Sequence, residues 1–546
     1  MSAVTATITS AGAVMDPAWE LLSIDVYKDV NRIPYAQIML IDGDAARQKF
    51  IISDEAFFEP GKLVDITLRY EGDPAGEVSV FKGLVVRHAV EAGEQGMLLA
   101  VELRDAAMKM TRVRNSAVYN EKADSQIIED LIAKHGLTKG EVAATQPAHK
   151  EIVQYACSDW DFMLSRADAY GMLVLADSGE ISMAEIDLSG SPKHSFEFGI
   201  SEIYNFEIEV DANNQYAAVQ TIAWDLANQK LTQASKAADF ALVQGNVNAA
   251  SLARETGGDL QTLSAAVPQD PKELQARADA ALSKSRMSMI RGRLSVPGVG
   301  DLQCLDLIEV AGVGKRFNGA TIVTGIRHRV DLNGWQTDLQ FGLSFDAFSA
   351  RTDIMERPAG GQLPGVNGLQ IGVVTNYDDP DKLSRVKVML PGLGEQNGEV
   401  WARLASPDAG KDRGYVFRPE PGDEVIVGFF NDDPRQAVIL GAMFSQVNTQ
   451  PADLGGDGDK NSTKGIITRS GLTLGFVDAD KPMVFIETPG KNKIVFDDDM
   501  KAVQISDQHG NSITMNEDGI EIKSAKDLKM EASGNVEIKG SKVDVK

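Results

Sequence analysis

A repeat of short segments at the end of the chain restricts the possible folds more than any other feature. Between residues 493 and 546, two apolar residues flank one residue in each segment, in most cases a polar or charged one, and such pairs recur about every seven to ten residues. Because side chains alternate across a β-strand, each segment predicts a short strand with one apolar and one charged face. The pairs are Ile494/Phe496, Val503/Ile505, Ile513/Met515, Ile520/Ile522, Leu528/Met530, Val536/Ile538 and Val543/Val545.

A single chain cannot bury so narrow a strip. Fourteen large apolar side chains would stay in contact with water, whereas burial of each contributes about 1.5–3 kcal/mol. The strip would also exceed the apolar patches that soluble monomers usually expose. Three copies around one axis would place the strips in a shared core and pair every strand with a neighbouring chain. The repeat therefore predicts a rigid homotrimeric rod, and the alternative is a β-meander that lies on another domain.

Charge and cysteine content exclude several classes of protein. The chain has 546 residues with 54 Lys and Arg against 79 Asp and Glu, which gives a net charge of −25. Such an acidic surface repels a phosphate backbone, so nucleic-acid binding is not expected. Two cysteines, Cys157 and Cys304, are too few for a disulfide framework or a thiolate zinc site. The start of the chain lacks the basic and apolar regions of a signal peptide, so we expect synthesis in the cytoplasm without one.

Two β-rich blocks are predicted in residues 1–356. Apolar residues alternate over residues 19–110, a pattern typical of an antiparallel barrel or sandwich. A second block covers residues 293–343, where two strand-like segments are joined across Asn333-Gly334, a strong hairpin signal. We therefore predict a mainly β region that contains two barrel-like domains with helical insertions.

Helices are expected between and beside these blocks. Residues 123–135 carry apolar residues at helical spacing, with Asp124 or Ser125 as the cap. A second helix begins at Ser158, where Asp161 completes a capping box.

The interval between the second of these helices and the second β block also suggests helix. Residues 226–288 are rich in alanine and glutamine. Asp270 and Pro271 are a suitable cap and first-turn pair for the last helix of the interval.

Proline and glycine mark a domain boundary further along the chain. Residues 357–368 contain two prolines and four glycines, so neither a helix nor a strand ladder is expected in this linker. Residues 369–446 follow with five short strands, which suit a small Greek-key barrel of the oligonucleotide/oligosaccharide-binding (OB) type. A second linker, at 447–465, leads to the predicted trimeric, intertwined triple-stranded β-helix at 466–546.

The barrel region carries the motif of a known family. Pro421-Gly422-Asp423-Glu424 opens one strand, Asp433-Pro434 follows that strand, and Val438-Ile439-Leu440-Gly441 comes next. This arrangement resembles the barrel signature of VgrG proteins and contractile-tail spike proteins. Upstream, Ser158-Asp159-Trp160-Asp161-Phe162 with Arg166-Ala167 resembles the hub-domain helix of the same family. The resemblance covers essentially the whole chain.

The resemblance implies a homotrimeric spike of a contractile injection apparatus, either a type VI secretion system or a related phage-tail-like particle. Two hub barrels per chain would give six in the trimer, which matches a hexameric inner-tube protein. A proline-alanine-alanine-arginine (PAAR) repeat tip protein would dock on Val543, Val545 and Lys546, and baseplate components and effector cargo would be further partners. The particle would be exported, released or injected, and it would meet the target membrane only during puncture.

No complete catalytic or metal signature accompanies this motif. Gly314-Lys315 lacks the hydroxyl residue and the first glycine of a phosphate loop, and the six histidines stand singly. Asp457, Asp459 and Asn461 alternate as in a calcium loop, but the positions that need glycine and glutamate hold other residues. We therefore expect a structural protein with no enzyme activity, cofactor or metal. The alternative is a tail-associated hydrolase or a glycan-binding fibre module that uses the OB barrel.

Overall fold

The computed structural model describes residues 3–73, 76–93, 96–394, 398–455 and 460–546. The chain forms two compact units, Met1–Glu356 and Arg357–Lys546. Asp457 and Asp459 of the calcium-loop pattern, which belong to the predicted second linker, lie outside the described residues. Among the helices that the structure describes, none is long and apolar enough to cross a membrane.

Strands dominate the first unit. They are β1 (Val4–Ser10), β2 (Ala13–Val14), β3 (Leu21–Asp29), β4 (Tyr35–Ile41), β5 (Leu63–Tyr70), β6 (Val78–Gly93), β7 (Gly96–Arg104), β8 (Arg114–Lys122), β9 (Thr138–Val142), β10 (His149–Ser158), β11 (Leu173–Asp177), β12 (Glu180–Ala184), β13 (His194–Glu197), β14 (Asn205–Val210), β15 (Ala218–Asp225), β16 (Lys230–Leu231), β17 (Ser235–Lys236), β18 (Leu260–Ala265), β19 (Ile290–Pro297), β20 (Leu307–Ala311), β21 (Gly319–Asp331) and β22 (Gly334–Phe341). The helices are α1 (Asp124–Lys134), α2 (Asp159–Ala169), α3 (Ala249–Glu255) and α4 (Pro271–Met287).

One thirteen-stranded sheet joins the two predicted β blocks. Its main order is β14-β19-β22-β21-β3-β4-β7-β6-β5-β1-β2, and β20 and β13 extend from β21. The two blocks meet where β3 pairs with β21, with Ile24 opposite Val330. Each half covers its own hydrophobic core, one around Ile66 and the other around Leu339. The hairpin predicted across Asn333-Gly334 is present as β21 and β22.

The first two helices share a third core with the β11-β12-β9 sheet and the β8-β10 ribbon. Helix α1 lies where it was predicted, but its N-cap residue is Ala123, whose N–H donates to Gln126 Oε1 at 3.0 Å. The predicted caps Asp124 and Ser125 are wrong, because both side chains have other partners. Asp124 accepts hydrogen bonds from Arg166, and Ser125 exchanges hydrogen bonds with Thr145.

Helix α2 begins as predicted. Ser158 Oγ accepts the backbone N–H of Asp161 at 3.0 Å and donates to the Asp161 carboxylate. The cap satisfies a backbone donor at the end of the helix that would otherwise lack a partner. Gly171, with φ of 68°, follows the helix in the left-handed conformation that glycine adopts at low cost.

The prediction of helix throughout residues 226–288 is wrong. Only α3 and α4 are helical there, and Leu260–Ala265 forms strand β18, which pairs in parallel with β15. Alanine favours helix weakly, and pairing along an existing strand outweighs that preference. The predicted cap of the last helix is correct, since Asp270 Oδ1 accepts the N–H of Lys272 at 2.8 Å and Pro271 is the first helical residue.

The second unit contains a barrel followed by a meander. Its strands are β23 (Gln370–Asn376), β24 (Val386–Met389), β25 (Glu399–Leu404), β26 (Ala409–Gly410), β27 (Arg413–Gly414), β28 (Glu424–Phe429), β29 (Ala437–Ala442), β30 (Thr463–Ile467), β31 (Thr473–Val477), β32 (Met483–Glu487), β33 (Lys493–Asp497), β34 (Ala502–Ser506), β35 (Ser512–Asn516) and β36 (Gly519–Lys523). Strands β23-β24-β25-β29-β28 close into a five-stranded barrel around Val388, Val427 and Ile439. The mainly β fold class and the small barrel are therefore confirmed.

Candidate functional site

The seven-stranded sheet β30–β36 aligns its apolar residues in two columns on one face. Each strand has five residues and pairs antiparallel with the next strand in sequence, so the second and fourth residues of every strand share this face. The register places seven aliphatic residues in one column and six apolar residues in the other; Lys464 begins the second column. We call these thirteen apolar residues the apolar stripe: Ile466, Leu474, Ile486, Ile494, Ile505, Ile513 and Ile522, with Phe476, Val484, Phe496, Val503, Met515 and Ile520.

The apolar stripe is open to solvent in the single chain. Ile486, Phe496 and Ile520 expose 49%, 52% and 70% of their surface. A contiguous strip of this kind on a soluble protein marks a surface that another protein covers. The repeat deduced from sequence therefore forms a meander, and this meander leaves its apolar face uncovered.

The opposite face of the sheet changes in character along its length. Near the barrel it is apolar, because Phe485 lies over Gly475 on the neighbouring strand and Val495 beside it is buried. Further along, Gln504 and Thr514 take the corresponding positions. Both faces of the sheet are thus apolar near the barrel. Further along, one face is apolar and the other is polar.

Ion pairs fix the turns at the base of the sheet. The Glu487 carboxylate accepts a hydrogen bond from Lys491 Nζ at 2.8 Å and lies 3.3 Å from Lys493 Nζ. These lysines hold the pKa of the Glu487 carboxyl below its usual range, chiefly through the hydrogen bond from Lys491. The Lys493 ammonium also lies 4.8 Å from the centre of the Phe485 ring, so it covers this ring on the face opposite the apolar stripe.

The strands predicted beyond β36 are absent from the single chain. Residues 524–546, all of which the structure describes, form no strand and are almost entirely exposed. They are extended between bends at residues 525–526, 533–534 and 541. In these stretches Lys529 pairs with Glu531 at 2.8 Å, Lys542 pairs with Asp544 at 2.7 Å, and Lys539 pairs with Glu537. Residues two apart share a side only in an extended chain, so the apolar pairs face the other way. A β-strand needs a neighbouring strand for its backbone hydrogen bonds, and the single chain provides no such strand for residues 524–546.

The residues predicted to dock a tip protein lie in this extended tail. Val543 and Val545 expose 54% and 91% of their surface, and Lys546 is exposed as well. Their role stays a prediction.

The motif residues of the barrel lie at both ends of β28 and on the neighbouring β29. Gly422 adopts a φ of 96° in the turn before β28, and Asp423 accepts the N–H of Glu420 at 2.8 Å. Pro421 and Glu424 flank this turn, whereas Asp433 and Pro434 follow the other end of the strand, and Gly441 lies on β29 opposite Ile426. The motif therefore shapes two turns of the barrel and does not converge on one pocket.

A buried network in the first unit involves the arginine of the hub-like motif. Arg166 donates to both carboxylate oxygens of Asp124, at 2.6 and 3.0 Å, and His149 Nε2 lies 2.7 Å from the same group. Burial alone would raise the pKa of Asp124, but Arg166 and His149 outweigh it and hold the pKa below its usual value. The network ties α1 to α2 and β10, whereas the sequence predicted only a helix cap at Asp124.

A metal centre is not evident in the part of the chain that the structure describes, where no group of three His, Cys, Asp or Glu residues is arranged to hold an ion. The histidines have separate partners: His135 contacts Asp159, His194 contacts Asp301, and His328 packs beside Trp335. Burial lowers the pKa of His328 to about 3, so this residue stays neutral.

Residues 1–331, more than half of the chain, match the family model described as the Alg8 N-terminal domain. The chain belongs to the Alg8 N-terminal domain family. Two further models match downstream: the type VI secretion system/phage-baseplate injector OB domain at residues 370–444, and the phage baseplate V C-terminal trimerisation domain at residues 483–546. The second of these covers most of the apolar stripe and all of the extended tail.

Several curated proteins similar to this Alg8-type chain are described as type VI secretion system spike proteins. The type VI secretion system spike proteins VgrG1c and VgrG1a of Pseudomonas aeruginosa are each 22% identical to it over 454 residues, or 76% of this chain. The aligned part is 59% of VgrG1c and 67% of VgrG1a, so the chain spans well under the full length of the first relative. The resemblance to VgrG and contractile-tail spike proteins is confirmed.

Solved structures with similarity to the chain include tail proteins and a VgrG complex. A tail protein of Neisseria meningitidis MC58 has a TM-score of 0.45 and 14% identity, covering 62% of this chain and 96% of that chain. A half-lidded PdpA-VgrG complex of Francisella has a TM-score of 0.40 and 10% identity, covering 96% of this chain and 88% of that chain.

Proposed function

We propose that three copies of the chain form the central spike of a type VI secretion system or a related contractile particle. In this proposal the trimer caps the inner tube, nucleates its assembly and pierces a target envelope when a sheath contracts. The observation that carries the proposal is the uncovered apolar stripe, most of which lies in a segment that matches a trimerisation domain.

The energetics of the apolar stripe favour association. Burial of each large apolar side chain contributes about 1.5–3 kcal/mol. Loss of translational and rotational freedom on association costs about 4–15 kcal/mol. Because each copy brings thirteen such residues, partial burial is enough to hold the assembly together. Three sheets that turn their stripes toward one axis would enclose a dry core.

Residues 524–546 extend this core in the proposal. Their apolar pairs continue the pattern of the stripe, and their backbone groups need partners that a single chain does not offer. Three extended tails that wind around one another would supply them, and this gives the intertwined end of the spike. Val543, Val545 and Lys546 would then form the platform for a PAAR-type tip.

The remaining assignments follow the architecture. Residues 1–356 would be the hub that meets a hexameric tube protein and baseplate components, and residues 369–446 would be the barrel between hub and spike. Effector cargo would travel with the particle as it leaves the cell. The role is mechanical, without catalysis or cofactor.

The decisive experiment is the native mass of the full chain by light scattering at high and low concentration. A mass near three times 58.9 kDa that persists on dilution supports the proposal, and a monomer at every concentration overturns it. A double variant, Ile494→Asp with Ile505→Asp, places charges in the apolar stripe and should give monomers. Thr514→Asp, on the opposite face of the same sheet, is the matched control and should stay trimeric.

A further inference from the structure

The barrel has two unlike outer walls. The wall formed by β24 and β25 is charged: Lys387 lies opposite Trp401, and Arg385 immediately precedes β24. Both cations have acidic partners, since Arg385 pairs with Asp379 and Lys387 with Glu399, both at 2.7 Å. Arg385 and Lys387 also lie 5.7 and 5.8 Å from the Trp401 ring. This wall is well suited to contact with water.

The wall formed by β23, β28 and β29 is apolar. We call its five large aliphatic residues the apolar wall: Leu369, Ile371, Ile426, Val438 and Leu440. Leu369, Ile371 and Leu440 each expose more than half of their surface. Three of the side chains surround Gly428, where an added Cβ would lie 3.5 Å from Leu369, 3.7 Å from Leu440 and 3.8 Å from Val438. The wall is therefore one contiguous patch on the outside of a barrel whose interior is already filled.

The start of the seven-stranded sheet is tied to the loop that leads into β28, the strand that carries Ile426 of the apolar wall. Arg469, in the turn between β30 and β31, pairs at 2.9 Å with Glu420 in the loop that leads into β28. Asn448, which follows β29, donates to the carbonyl of Gly422 in the same loop at 3.3 Å. A partner that covers the apolar stripe is thus brought next to the barrel.

We infer that the apolar wall packs against the barrel of a second copy of this chain, as a second self-association surface beside the stripe. The inference rests on the proposed trimer. Once the stripes hold three chains together, the barrels are tethered side by side at an effective concentration in the millimolar range. Copies that each carry a net charge of −25 repel one another. The uncharged wall is the side on which two barrels approach without removing charged groups from water.

Cross-linking of the full-length chain tests this contact directly. Leu440→Cys places a thiol on the apolar wall, Lys387→Cys places one on the charged wall, and the unmodified chain controls for Cys157 and Cys304. With a short bis-maleimide, we expect Leu440→Cys to give at least fivefold more covalent dimer than Lys387→Cys. Equal yields in a sample whose native mass is three chains would overturn the inference and leave the trimer intact. A monomeric mass for the unmodified chain would instead overturn the proposed function.

A second experiment changes residues of the apolar wall, leaves the apolar stripe unchanged and measures the dissociation of the trimer. The double variant Leu369→Ser with Leu440→Ser should still form trimers at high concentration, but the concentration at which they dissociate should rise at least tenfold. Circular dichroism checks that the barrel stays folded. A folded variant with unchanged dissociation overturns the assignment to a second copy, and the wall would then belong to a contact with another protein of the particle.

Discussion

The ring of Phe485 lies directly over Gly475, its partner across the β31–β32 ladder. A Cβ added at Gly475 would come within 2.3 Å of that ring, closer than any real contact. Gly475→Ala should therefore destabilise the second unit by about 1–3 kcal/mol, because the ring must move from its place on the sheet. Thermal unfolding at a fixed protein concentration measures the effect. Gly93→Ala, in a strand position with open space around it, should leave the midpoint unchanged, and an equal loss in both variants would contradict the explanation.

The extended tail should gain protection from hydrogen exchange only on assembly. Residues 463–523 pair within one chain, whereas residues 524–546 have no strand partner there. Exchange followed by mass spectrometry at two concentrations should show protected amides in β30–β36 throughout. Amides of the tail should be slow only at concentrations where the native mass is three chains. Fast exchange of the tail in the trimer would rule out intertwining between chains.

Asp159 should stabilise the first unit in a pH-dependent way. Its carboxylate is buried, which alone would raise its pKa, but hydrogen bonds from Lys134, Gln154, His135 and Asn115 lower the pKa to about 2. Because the folded pKa lies below the ordinary value of 3.8, the stabilisation is complete above that value and is lost as the pH falls toward 2.

Asp159→Asn should thus cost about 1–2 kcal/mol at pH 7 and flatten the acid side of the stability profile. Urea unfolding followed by tryptophan fluorescence at several pH values measures both effects. Asp130→Asn removes an exposed carboxylate that pairs with Lys122 and should change little. A profile unchanged by Asp159→Asn would contradict the assignment.

Two glycines of the barrel motif should respond differently to alanine. Gly422 has a φ of 96°, in the region that other residues adopt at a cost, whereas Gly441 has no atom near its missing Cβ. Gly422→Ala should lower the free energy of unfolding of the barrel by about 1–2 kcal/mol. Gly441→Ala should be nearly neutral, and comparison of the two unfolding midpoints checks the prediction.

Local sequence patterns predicted the helices and strands better than they predicted which strands pair with each other. Strict alternation identified the strands around Ile66, and the capping box at Ser158 identified the start of α2. The pairing of β3 with β21 brings together residues about 300 positions apart, as with Ile24 and Val330, and alternation carries no information about such contacts. The Ala-rich residues 226–288 were misjudged for the same reason, since β18 exists only because β15 lies beside it.

The apolar stripe was predicted only in part. Alternation is plain from Val503 onward because the opposite face carries Gln504 and Thr514 there. In β31 and β32, Gly475 and Phe485 make the opposite face apolar too, so the alternation disappears from the sequence although Leu474 and Ile486 continue the same column. Conversely, the tail keeps alternating apolar pairs at Leu528/Met530, Val536/Ile538 and Val543/Val545 without forming strands. Alternation predicts which side chains share a face and does not show which chain supplies the neighbouring strand.

The hydrogen bonds of the β30–β36 sheet run from strand to strand. They therefore lie parallel to the direction in which the strands are stacked from β30 to β36. With neighbouring strands about 4.8 Å apart, seven strands extend about 30 Å in this direction. A load that pushes along the ladder presses all strands together at once, whereas a load that pulls along it opens one strand pair at a time, like a zipper. In the proposed spike, such ladders would resist compression along the axis and would separate one strand pair at a time under tension.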